Sequence, residues 1–331
     1  MKQVWAKDLR DEMNVALVFS YNLGATTNTV LRLASNVPFR LKIDGNLFSY
    51  GPRRKAHGHA AINTYDLSAY AGKEIAIEVE CVSYRVENFY IVNQTPFFAA
   101  EILQNGQIIA DSFDFKAYKN ASKLQKVQRF SYQRGFVEAY KIDKTPAVIS
   151  VETDEEKACE LSESCVPYPR FEEIIAEEFE SGNIFEKEDF EEYNDDYLNR
   201  RGSKFYPREE QEYRITLEND KYGFEKTNQV GDVLSKTYKA YKLPRNVVGF
   251  LAFDVEVYDD ANIMINYDEK ISPLRYSYEE KFRSNPDTEN NMWVDRSATF
   301  KAGASNIDVY RLHSLSLMNY KLTKGKYLLN G

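Results

Sequence analysis

IDGNLFSYGPRRKAHGHAAINTYDLSAYAGKEIAIEVECVSYRVENFYIVNQTPFFAAEIL, running from Ile43 to Leu103, decides how the rest of the chain is read. Its clearest element is Glu74 to Val82 (EIAIEVECV). Ile75, Ile77, Val79 and Cys81 fall on one side of an extended chain, and Glu74, Ala76, Glu78 and Glu80 point mostly to water, the period of two expected of a strand with one dry face. Just upstream, Phe39, Leu41 and Ile43 alternate with Arg40 and Lys42, and Asp44-Gly45 follows directly. Asp-Gly between alternating apolar residues predicts a tight hairpin, because glycine takes a positive φ at little steric cost. The return strand, Asn46 to Tyr50, ends at Gly51-Pro52. Downstream, Pro96 to Leu103 reads as a strand closed by a second hairpin signal, Asn105-Gly106, with Ile108 to Ala110 returning.

Working outward, residues 14–23 and 29–34 read as two further strands, and Val127 to Tyr140 continues the pattern. Short strands at this spacing, without intervening helical patterns, predict an all-β sandwich. Three regions are expected: a jelly-roll β-sandwich over residues 1–144, an acidic connector over 145–212, and a second β-sandwich over 213–331. The first is expected to end at Thr145-Pro146. In the connector, Asp154-Glu155-Glu156, Glu172-Glu173, Glu177-Glu178 and Glu186 to Glu192 make a solvated face, and Phe171 to Phe179 (FEEIIAEEF) predicts one or two amphipathic helical turns. A solvated connector is favoured over the other readings of these acids, a calcium site or a patch for a basic partner, because no EF-hand spacing accompanies them; the sequence does not settle calcium. In the last region Val247 to Val257, Ile263 to Tyr267, Asn306 to Leu312 and Lys321 to Tyr327 return to β pattern. The sequence stops at Gly331, where one more strand is expected, so the second sandwich reads as truncated.

Composition narrows the function classes. With 24 Tyr and 20 Phe, aromatics make up 14% of the 331 residues, which leans toward pleated, half-buried surfaces and suits sugar stacking or protein interfaces. A net charge of −8 without a basic stripe argues against nucleic acid. No run approaches the roughly 20 apolar residues of a membrane helix. The N-terminus, MKQVWAKDLRDEMN, has no signal-peptide core, and three cysteines make no even disulfide set, so a cytoplasmic protein is expected.

No complete active site is legible. Asp268-Glu269 is a tempting carboxylate pair, but adjacent strand residues face opposite ways. His57 and His59 would share a face if extended, yet lack a third ligand nearby in sequence, so neither metal nor cofactor is called for. No Gly-x-Ser-x-Gly elbow and no phosphate loop occurs. Two polar loops remain as carbohydrate-binding candidates: one with Tyr50, Arg53, His57 and His59, the other with Asn88, Tyr90 and Gln94. Rings can stack on a pyranose face while planar cations fork onto hydroxyl pairs. The other reading of these loops is that they pack against a neighbouring domain.

A resemblance sharpens this. Asp44-Gly45, Gly51-Pro52-Arg53, Tyr65-Asp66-Leu67-Ser68-Ala69-Tyr70 and Gly72 before Ile75-Ala76-Ile77 resemble the N-terminal jelly-roll region of bacterial α-L-rhamnosidases, glycoside hydrolase family 78. Asn88-Phe89-Tyr90 to Gln94-Thr95-Pro96-Phe97-Phe98-Ala99-Ala100-Glu101, Gln128 to Glu138, Val166-Pro167-Tyr168-Pro169 and residues 249–269 are similar to further segments of that family. The resemblance implies the accessory part of an enzyme that removes terminal α-linked rhamnose by inverting hydrolysis. It also implies a catalytic (α/α)6 barrel, in the same polypeptide or a partner chain, that carries the acid and base. The barrel's D-x-P-x-R motif is absent from this sequence, so no catalytic residue carries over. Whether this chain is itself an enzyme stays open, and the chain alone is expected to be inactive. The competing expectation is a stand-alone carbohydrate-binding or protein-interaction module.

Overall fold

The computed structural model describes residues 1–87, 92–131, 135–143, 147–167, 172–186, 205–212, 222–227, 237–245, 249–270, 303–309 and 318–330. In chain order the strands are β1 (Gln3–Ala6), β2 (Val15–Leu23), β3 (Thr29–Ser35), β4 (Phe39–Ile43), β5 (Asn46–Gly51), β6 (His59–Asp66), β7 (Ile75–Ser83), β8 (Phe98–Gln104), β9 (Gln107–Asp111), β10 (Lys116–Asn120), β11 (Arg129–Ser131) and β12 (Gly135–Phe136). They continue as β13 (Glu138–Ile142), β14 (Val148–Ser150), β15 (Thr153–Glu156), β16 (Glu160–Glu163), β17 (Glu177–Glu186), β18 (Tyr222–Lys226), β19 (Thr237–Lys242), β20 (Ala252–Val257), β21 (Ala261–Lys270), β22 (Gly303–Val309), β23 (Met318–Leu322) and β24 (Gly325–Asn330). Among the described residues only short 3-10 turns break the all-β pattern.

The chain divides into two compact units. The first comprises Met1–Phe136 and Thr145–Pro169 and is built from two principal sheets, ordered β15-β1-β8-β3-β6-β16 (with β9 also on β8) and β14-β10-β2-β7-β4-β5. Their facing sides make one core. Leu17 and Phe19 from β2, Leu31 and Leu33 from β3, Leu41 and Ile43 from β4, Ile77 and Val79 from β7, and Phe98 and Ile102 from β8 are all buried there. Phe98 stacks on Phe19 at 4.0 Å between centroids, locking the two sheets together through one large inward ring from each.

Both hairpins form. Asp44 and Gly45 have φ of 50° and 76°, and Asn105 and Gly106 have φ of 50° and 77°, the paired positive φ of a type I′ turn. The first joins β4 to β5 and the second β8 to β9. Asp44 also accepts a hydrogen bond from Ala76 N at 2.8 Å, tying that turn to β7. Tyr65-Asp66-Leu67-Ser68-Ala69-Tyr70 becomes the end of β6 and a 3-10 turn. Asp66 accepts from Ser68 N at 2.8 Å, Leu67 drops into the core, and Phe48 meets Tyr65 and Tyr70 edge-on.

Three findings differ from the sequence expectation. Much of the segment expected as connector is sheet: β14 and β15 pair antiparallel with β10 and β1, and β16 runs parallel to β6. In β15 and β16 the acids hide the strands, because these are edge strands with charged outer residues, and β14 is only three residues long. Second, Glu177 to Phe179 belongs to β17, not to a helical turn, and Glu172 to Ala176 is irregular. So short a helix is marginal alone, whereas β17 finds partners in β18 and β19 on its two sides. Third, Glu80 turns away from the core as expected yet is only 7% exposed, because Arg40 and Asn120 cover it.

The second unit comprises Val137–Lys144 and Arg170–Gly331. Its larger sheet is ordered β13-β23-β21-β22-β19-β17-β18, and β20 pairs with β24. Val257, Ile265, Tyr320, Leu322 and Leu329 make its core, with Tyr140 stacked on Tyr320 at 5.4 Å. Asp268 and Glu269 lie within β21.

Candidate functional site

The sequence candidates fall in two places on the first unit, and two of them, Asn88 and Tyr90, lie outside the described residues. Tyr50 sits near the end of β5, opposite Arg40 of β4, on the outward face of the second sheet. The others gather at the β6–β16 edge of the first sheet.

That edge is built as a latch. Lys157 to Cys159 leads from β15 at one edge of the first sheet to β16 at the other. Ala34, Ala60 and Ala99 lie in a small buried cluster beneath this strap, with Ile62 and Phe97, and Ala158 and Cys159 pack on it. Small residues allow that close approach. The Gln3 amide then holds the strap as a ladder strand would: Nε2 donates to Cys159 O at 2.7 Å, while Oε1 accepts from Ala158 N at 3.0 Å and Cys159 N at 3.1 Å. Gln94 Oε1 accepts from Gly58 N at 3.0 Å and from the Cys159 thiol at 3.8 Å. Asn36 Nδ2 donates to Cys159 Sγ at 3.7 Å and to Thr95 O at 2.7 Å.

The remaining candidates are engaged in the same work. Arg53 donates Nε to Asn63 Oδ1 at 3.0 Å and Nη1 to Pro167 O at 2.8 Å, fixing the segment after β16 to β6. His59 Nδ1 faces Glu160 Oε2 at 3.5 Å across the parallel β6–β16 pair. His57 is exposed in the preceding turn. Gly58 has φ +78°, so the chain turns there and the two imidazoles do not align as they would on a strand. Arg53, His59 and Gln94 are thus brought to one edge, and Tyr50 is not.

Chemically the latch holds rather than reacts. Burial pushes the Cys159 thiol up, against a smaller downward pull from Asn36, so it stays protonated and donates. Cys81 is fully buried and its thiol is pushed up further by desolvation. No group of three or more His, Cys, Asp or Glu that could hold a metal occurs among the described residues. No helix among them is long and apolar enough to cross a membrane.

Sequence reasoning missed a second polar group, on the outward face of the second sheet. Arg40 donates Nε and Nη2 to Glu80 Oε2 at 3.1 and 2.5 Å, and Asn120 Nδ2 donates to Glu80 Oε1 at 2.8 Å. Alternation alone puts Arg40 and Glu80 on that face. Only the β4–β7 register sets them opposite one another.

No protein-family model and no curated protein matches the sequence. Among solved structures, the chain is similar to the GH78 family rhamnosidase of Bacillus sp. GL1 (12% identity, TM-score 0.47, 99% of this chain and 33% of that one). It is likewise similar to α-L-rhamnosidase from Dictyoglumus thermophilum (11%, TM-score 0.48, 99% and 33%). A third is Streptomyces avermitilis α-L-rhamnosidase complexed with L-rhamnose (12%, TM-score 0.45, 96% and 26%). The chain spans about a third of the length of the first two and less of the third.

Proposed function

We propose that this chain is the non-catalytic accessory β-sandwich region of an α-L-rhamnosidase-like glycoside hydrolase, and that it buttresses an (α/α)6 catalytic barrel carried by the same polypeptide or a partner chain. One observation supports the reading above all: the residues of the stretch from Ile43 to Leu103 that carry the family resemblance are successive structural parts of one sandwich. Asp44-Gly45 makes the hairpin, Gly51 lets the chain pass close to Phe39, and Asp66 caps the turn after β6. Phe97-Phe98 fills the core, and Glu101 of the same segment pairs with Arg32 at 2.7 Å. These are scaffold roles, and a scaffold is what a family would keep in an accessory domain. The intact enzyme would remove terminal α-linked rhamnose by inverting hydrolysis, in the cytoplasm, where the free thiols suit a reducing environment.

The test is the native reading frame together with co-purification. The frame should run past Gly331 into a helix-rich region containing D-x-P-x-R, or the chain should co-purify with a separate chain that carries one; a natural stop after Gly331 with no such partner would overturn the reading.

A second reading is a carbohydrate-binding module, with Tyr50, Arg53, His57, His59, Asn88, Tyr90 and Gln94 as loop contacts. The Arg40–Glu80–Asn120 group beside Tyr50 favours it, because it sets planar donors and acceptors next to an aromatic ring.

A further inference from the structure

We infer that the outward face of the second sheet of the first unit is a binding surface for a neutral oligosaccharide, centred on Arg40 and Glu80 and flanked by Tyr50 and Tyr118. The inference rests on the carbohydrate-binding reading, not on the catalytic-support one.

The register aligns the residues. Tyr118 of β10 lies opposite Val18 of β2, Val18 opposite Glu80 of β7, Glu80 opposite Arg40 of β4, and Arg40 opposite Tyr50 of β5. These five residues form one row across five strands. Their sequence neighbours Ala117, Phe19, Val79 and Leu41 point into the core, so the row faces outward. At about 4.8 Å between strands, the two tyrosines stand roughly 19 Å apart with the ion pair between them. Both tyrosines and Val18 are half-buried, which gives ring platforms and an apolar floor.

The charges select the ligand. Arg40 is paired with Glu80, and in the next row Glu78 lies opposite Lys42 on one side and Ser20 on the other, with Lys116 beyond Ser20. The two rows thus carry three cations and two carboxylates, close to balance, which suits an uncharged polar ligand better than a polyanion or an acidic peptide. The Arg40 side chain is 19% exposed and that of Glu80 8%, so their geometry is fixed before any ligand arrives. The Arg40 guanidinium, the more exposed partner of the pair and held flat by Glu80, suits ligand hydroxyls, while rings at the two ends suit the C–H faces of pyranoses. Asn120 bounds the row on one side. Its Oδ1 accepts from Ser122 N at 3.0 Å and Lys123 N at 3.3 Å, which fixes the loop that carries it.

The experiment titrates the whole chain with an α-L-rhamnosyl disaccharide, cellotetraose, xylotetraose and a heparin oligosaccharide, by calorimetry and by tyrosine-region NMR. At least one neutral sugar should bind and heparin should not. Tyr50→Ala and Tyr118→Ala should each weaken binding by about tenfold, the upper end of what one aromatic contact is worth. Tyr50→Phe and Tyr118→Phe should retain it, since the ring is kept, and thermal melts should show each variant folded. Binding that survives both alanine changes would overturn this site while leaving carbohydrate binding elsewhere on the chain. Binding of no neutral sugar, or of heparin in preference, would overturn the site and the carbohydrate-binding reading together. Neither result touches the catalytic-support reading, which the reading frame and co-purification decide.

Discussion

Gly51 shows how a motif residue can look functional and be steric. A Cβ placed there would lie 2.3 Å from Phe39 Cε1, inside a ring that is itself 2% exposed. The Gly-Pro-Arg sequence therefore begins with a residue that must have no side chain, and Arg53 two positions on anchors the strand below. Gly51→Ala should destabilise the first unit by about 1–3 kcal/mol through overpacking. Urea unfolding followed by near-UV circular dichroism would register it, and an unchanged midpoint would show that Phe39 can yield. Arg40 and Glu80 make the complementary case: residues that alternate like solvent-facing ones, yet are largely covered because a partner stands opposite. A sequence shows the side of a strand, and only pairing shows the neighbour.

At the scale of elements, what the sequence exposes is what short-range physics controls. Asp44-Gly45 and Asn105-Gly106 are turns for local reasons, and β7 is a strand because four apolar residues alternate with four others. The strap from Lys157 to Cys159 is different. It depends on small residues in β3, β6 and β8 and on the Gln3 amide, separated from Cys159 by 156 positions. No local pattern announces that, and the surrounding acids suggest solvent instead. Gln3→Ala should loosen the strap and speed alkylation of Cys159 at pH 8 by about tenfold, read by mass spectrometry. Cys81 should stay unmodified in folded protein, and Cys165, which is exposed, should react first. Equal Cys159 rates in both proteins would show that Gln3 does not hold the strap. The turn after β9 allows a pH test. The hydrogen bond from Lys2 chiefly, and one from Phe113 N, hold the Asp111 carboxyl below its usual range. The associated stability is present above the ordinary carboxylate pKa of about 3.9 and is lost as pH falls through the lower folded value. Asp111→Asn should therefore be less stable than the parent at pH 6, with the gap closing toward pH 2 in thermal melts. A gap that stays constant would assign the effect to something other than ionisation.

For the whole molecule, two β-built units follow from the alternation, whereas the division between them does not. Val137–Lys144 joins the second unit and Thr145–Pro169 returns to the first, because β13 finds β23 while β14, β15 and β16 find strands of the first sandwich. Composition changes near Thr145, and the sheets do not follow it. The candidate loop site was only partly legible. Arg53, His59 and Gln94 do converge, but on a holding role, and the row from Tyr118 to Tyr50 needed five strands in register. The account's central claim is that this chain supports catalysis without performing it. The direct measurement is release of 4-nitrophenol from 4-nitrophenyl α-L-rhamnoside by the purified chain. The account predicts no turnover above the uncatalysed rate at any pH from 4 to 9; saturable turnover abolished by substituting one carboxylate of this chain would contradict it.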